Sequence, residues 1–87
     1  MSEPFYYVLG AQGDYVVYAE YKADKHLVVV QNMFDKSAYC KTYELKNASP
    51  VAADFVLECE FDDDGNASVT YLAGKKNTRT KMTIRIP

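Results

Sequence analysis

Tryptophan is absent from this 87-residue chain, histidine occurs once and cysteine only twice, which leaves several kinds of chemistry poorly supplied. One histidine and two distant cysteines do not make the four ligands of a structural zinc site, so no metal is expected and no cofactor is implied. A histidine-based general base would rest on His26 alone. His26 starts a candidate strand beside Lys25, with no serine or cysteine next to it, and reads as a surface residue; no catalytic residue is assigned. The longest apolar run, Leu27 to Val30, is strand-like and far short of the roughly 18 residues that a membrane span requires. Basic residues form no broad face. Only Lys75, Lys76, Arg79, Lys81 and Arg85 gather near the end, against a net charge of −2, which argues against a nucleic-acid partner. Met-Ser-Glu-Pro at the start lacks a basic region followed by an apolar stretch, so no signal peptide is read there. Were the protein secreted, this would be its mature part.

The chain is rich in tyrosine, with eight Tyr against four Phe. Tyrosine favours strands and carries a ring that can be half buried beneath a wet hydroxyl. Helical periodicity is missing. Period-two alternation recurs instead, broken by turn-forming residues, and gives seven candidate strands: Phe5–Leu9, Asp14–Tyr21, His26–Phe34, Ala38–Lys46, Ala53–Phe61, Ala67–Leu72 and Thr78–Ile86. The short connections between them require antiparallel neighbours. The expectation is one all-β domain spanning residues 1–87, an antiparallel meander of about seven strands. A closed or nearly closed small barrel is preferred, with a two-sheet sandwich as the alternative. Val16, Val17, Tyr18 and Leu27 to Val30 make the second and third strands apolar on both faces. Those strands are expected to be covered on both sides or to pair with another subunit.

A register that sets Lys46 opposite Ala53 also sets Cys40 opposite Cys59, on a face with Ala38, Thr42, Phe55, Leu57 and Phe61. Directly opposed positions on antiparallel strands approach disulfide geometry. A bridge closing such a loop would stabilise by about 3 kcal/mol, a large share for a domain that buries only roughly 60–65% of its unfolded surface. A Cys40–Cys59 disulfide and a secreted or extracellular setting are therefore expected, the alternative being two free thiols in the cytoplasm. Glu44 is the misfit on that face. Asn47-Ala-Ser49 and Asn66-Ala-Ser68 match the N-glycosylation pattern. The run Asp62-Asp-Asp-Gly-Asn66 departs from a calcium-binding loop in its glycine position and in Ala73 at the last ligand position, and reads as a hairpin turn. Gly10-Ala-Gln-Gly13 is too short to cradle a phosphate and is followed by a strand, which makes it a turn as well.

With no catalytic set assembled, the function expected is that of a non-catalytic binding module for a protein or other macromolecule, such as an inhibitor or effector. Tyr15, Tyr18, Tyr39 and Tyr43 are the candidate binding residues, because rigid tyrosines lose little entropy on contact. Two other functions compete. The stretch Phe55 to Phe61, the turn at Asp64-Gly65 and Val69 to Leu72 resemble two adjacent strands of a lipocalin-type barrel. That resemblance implies a small-ligand carrier. Exposed strand edges could instead pair between copies, making a structural subunit and a homo-oligomer.

Overall fold

A computed structural model describes residues 5–22, 25–48 and 56–87. Its seven strands are β1 (Phe5–Gln12), β2 (Tyr15–Lys22), β3 (Lys25–Asn32), β4 (Cys40–Glu44), β5 (Val56–Phe61), β6 (Asn66–Ala73) and β7 (Thr78–Arg85). All seven correspond to alternating segments of the sequence. They form two antiparallel sheets, β1-β2-β3-β4 and β5-β6-β7, within two compact units that meet between Leu45 and Lys46 in the chain. Among the described residues no closed barrel forms, and no helix is long and apolar enough to cross a membrane. The expected barrel is corrected to two separate sheets.

In the first unit, Val17 and Ala19 of β2 lie opposite Val30 and Val28 of β3, and all four are fully buried. Tyr7, half-buried on β1, lies opposite Ala19, and half-buried Tyr43 on β4 lies opposite Val28, on this same face. His26 continues it, and the Leu45 N–H donates to the His26 carbonyl at 2.9 Å. The β1–β2 turn needs only Gly13 and Asp14. Gly13 has φ +61, the left-handed conformation that a hairpin turn with glycine first calls for. A bulge between Val8 and Gly10 then lets β1 run on to Gln12, so Gly10 belongs to the strand.

In the second unit, Ala67, Val69, Tyr71 and Ala73 of β6 and Ile84 of β7 are buried on one face. Ala67 lies opposite Ile84 and Val69 opposite Met82, which gives the alternation of β7 that the sequence implied. Gly65 closes the β5–β6 turn with φ +82. Its carbonyl accepts from the Ile86 N–H at 2.7 Å, and an added Cβ would meet the Ile86 carbonyl at 3.3 Å.

The register joining the fourth and fifth strands is not formed. Cys40 lies opposite Gln31 and Cys59 opposite Val69, so the cysteines belong to different sheets, and both are free. The reason is visible just after β4, where the chain is held by β6. The Tyr71 hydroxyl donates to the Lys46 carbonyl at 3.0 Å, Gly74 N–H donates to the Asn47 carbonyl at 2.7 Å, and Ala48 bridges to Ala73. The residues that a tight β4–β5 hairpin would have used are committed elsewhere. Ser49, and Ala53 to Phe55 of the expected fifth strand, lie outside the described residues.

Candidate binding face

The second face of the four-stranded sheet follows from the same registers. Tyr6 lies opposite Glu20 and Val8 opposite Tyr18 on β1–β2; Tyr18 lies opposite Val29, which in turn lies opposite Thr42. Val29, flanked in this way, is only 2% exposed, so β3 is covered on both faces as its apolar run implied. Tyr6 and Val8, by contrast, are 72% and 64% exposed. With Val16, Tyr18, Glu20, Gln31 and Lys36 they line an open cleft of about 420 Å³. That volume lies within the range of ligand-sized clefts, and the lining is aromatic and aliphatic with a few polar groups.

Tyr18 organises the cleft. Its hydroxyl donates to Gln31 Oε1 at 3.1 Å, and its ring meets Tyr6 edge to face at 5.9 Å between centroids. Burial, and then the neighbouring Glu20, Cys40 and Tyr6, raise its pKa above the usual 10.0.

Beside the cleft, β3 stops at Asn32 because its side chain turns the chain. Asn32 Oδ1 accepts from the Phe34 and Asp35 backbone N–H groups at 2.9 and 3.0 Å. Asp35 Oδ1 accepts from the Ser37 N–H at 3.0 Å and the Ser37 hydroxyl at 2.6 Å, and the hydroxyl bond is the main cause holding the carboxyl below its usual pKa. Met33 N–H donates to the Asp14 carbonyl at 2.9 Å, tying this loop to the β1–β2 turn. The loop is braced at both ends, yet it leaves Phe34 78% exposed and Met33 43% exposed.

The tyrosines nominated from the sequence divide between the two faces. Tyr18 belongs to the cleft. Tyr15, Tyr39 and Tyr43 lie on the opposite face, where the Tyr15 and Tyr39 rings meet edge to face at 5.6 Å and Lys41 Nζ sits 5.2 Å from the centre of the Tyr43 ring. Burial first, then Tyr43, raises the Tyr39 pKa. Tyr6, Val8, Met33, Phe34 and Lys36 were missed. A signal for Phe34 was present, since Asn32 and Asp35 are turn-formers that bracket two apolar residues and push them out of the strand.

The remaining candidates lie away from the cleft. His26 is buried on the opposite face with its ring 4.8 Å from that of Tyr21, and burial lowers its pKa. Asp62 spends its carboxylate on its own turn, accepting from the Asp64 and Asn66 N–H groups at 2.9 Å each. Cys59 is half-buried with its thiol pKa raised by burial, while Cys40 is exposed. A sulfur pairing therefore no longer supports an extracellular setting. No protein-family profile, curated protein or solved structure matches the chain.

Proposed function

We propose that this chain is a non-catalytic binding module that recognises a protein through the second face of its four-stranded sheet, with Phe34, Tyr6 and Tyr18 as anchors. The observation that carries this reading is the exposure of Phe34 on its hydrogen-bonded loop and of Tyr6 and Val8 on β1. Large rings held rigidly in water gain contact area on binding at small entropic cost, and such residues dominate protein interfaces. Lys36 and Glu20 at the margin supply the polar rim that fixes orientation. His26, the one histidine, is on the other face, which leaves the cleft without an imidazole base.

The test begins with affinity capture from the native source. The captured protein is then purified and titrated against the wild type and against Phe34→Ala and Tyr6→Ala. A partner whose affinity falls with both variants, at unchanged melting temperature, supports the reading. Affinity indifferent to both substitutions overturns it.

A further inference from the structure

We propose that two copies of this chain pair through β1, antiparallel and about a two-fold axis, joining their four-stranded sheets edge to edge. β1 is an edge strand, and among the described residues no strand pairs with its second side. Which of its backbone groups face outward follows from the hairpin. Gln12 and Tyr15 flank a two-residue turn and exchange hydrogen bonds, and bonded and non-bonded pairs then alternate along the ladder. Tyr15, Val17, Ala19 and Tyr21 thus turn their backbone groups to β1, while Tyr18 and Glu20 turn theirs to β3. The β2–β3 hairpin, closed by Lys22 and Lys25, gives the same alternation independently. Tyr6 and Val8, opposite Glu20 and Tyr18, consequently point their N–H and C=O groups away from the sheet.

Charge singles out this edge and favours a second copy on it. The other edge strands carry charged residues: Lys41 and Glu44 on β4, Glu58 and Glu60 on β5, and Arg79, Lys81 and Arg85 on β7. Pairing β5 or β7 with itself would set like charges across the ladder, which is the usual protection of an edge. β1 reads Phe-Tyr-Tyr-Val-Leu-Gly-Ala-Gln and has no charge at all. The bulge between Val8 and Gly10 ends the regular edge on one side and thereby sets the register. With Tyr7 on the axis, Tyr6 of each copy lies opposite Val8 of the other, wholly before the bulge. Each such pair exchanges two hydrogen bonds. The exposed side chains of Tyr6 and Val8 from both copies then meet on the cleft face. So short a contact falls below the roughly 1,200 Å² of a stable interface, which makes the dimer reversible and concentration-dependent. This pairing does not rest on the recognition reading above, because a protein that stays monomeric can still bind through Phe34.

Analytical ultracentrifugation of the full chain over a wide concentration series tests the proposal. The mass should rise from the 9.8 kDa monomer toward twice that value. Val8→Pro removes the outward N–H while keeping an extended φ, and should abolish the rise. Tyr6→Lys should shift it about tenfold to higher concentration by placing cations near the axis, and it carries the test if the proline variant does not fold. Lys81→Ala on β7 should leave it unchanged. A constant monomer mass overturns the proposal, as does a rise insensitive to both β1 variants. A constant mass combined with a captured partner whose binding needs the Val8 N–H would assign the edge to a foreign strand and equally overturn it.

Discussion

The two sheets bury similar faces and display different ones. Val17, Ala19, Val28 and Val30 in the first unit have their counterparts in Ala67, Val69, Ile84 and Ile86 in the second, all removed from water. On the second face of β5-β6-β7, Glu58 lies opposite Thr70, which lies opposite Lys81, and Glu60 lies opposite Ser68, which lies opposite Thr83. Acidic, hydroxyl and basic or hydroxyl positions follow one another across that sheet, with Glu58, Glu60, Lys81 and Thr83 exposed on either side of a buried Thr70. The corresponding face of β1-β2-β3-β4 sets Tyr6, Val8, Val16, Tyr18 and Val29 beside Glu20, Gln31, Thr42 and Glu44. Solvation does not require that apolar surface, and folding leaves Tyr6 and Val8 exposed. That difference is what the proposed reading uses to place its recognition surface on the first unit.

The contrast can be broken or sharpened by substitution. Ile84→Ala, at a fully buried position, should cost about 2–5 kcal/mol in a denaturant titration, whereas Lys81→Ala on the other face of the same strand should stay within about 0.5 kcal/mol. Equal losses would break the assignment of faces. Phe34→Ala should cost about 2 kcal/mol of partner binding, close to thirtyfold in affinity, while leaving stability nearly unchanged. A large drop in melting temperature would return Phe34 to the core. Gly65→Ala should destabilise by about 1–2 kcal/mol, because a side chain is unfavourable at φ +82 and the Ile86 carbonyl crowds it. Calorimetric melting checks this.

The smallest effect is the dependence on pH. Burial lowers the His26 pKa below 6.5, so the unfolded chain binds the proton more tightly than the folded one. The stability this group contributes is complete above pH 6.5 and is lost as pH falls through that value toward the depressed folded pKa. Urea midpoints measured on either side of pH 6.5 should show the slope, and His26→Gln should flatten it.

Strand positions were legible because alternation and turn residues mark them without reference to tertiary structure. Faces were legible only where the register was right. On β5, Glu58 and Glu60 are exposed and Cys59 is half-buried, as the alternation implied. On β4 the expected faces are inverted. Cys40, Thr42 and Glu44 are exposed, and Tyr43 takes the more buried side. A strand has period two, so choosing the wrong partner exchanged its faces outright, and Glu44 was the sign of it. The sequence also could not show that Lys46, Asn47 and Ala48 bind β6, since those contacts join residues 25 or more apart. Tyr18 was found because β2 is apolar on both sides. Strand propensity places Phe34 in the third strand, and the turn that the Asn32 side chain makes with the Phe34 and Asp35 N–H groups overrides it.

Amide chemical-shift mapping on addition of the captured partner compares the two displayed faces directly. Shifts are expected to concentrate at Tyr6 to Val8, Val16 to Glu20 and Gln31 to Lys36, with Glu58, Glu60 and Arg79 to Arg85 unmoved. Shifts centred on the polar face of β5-β6-β7, with the Phe34 loop silent, would contradict the proposed reading.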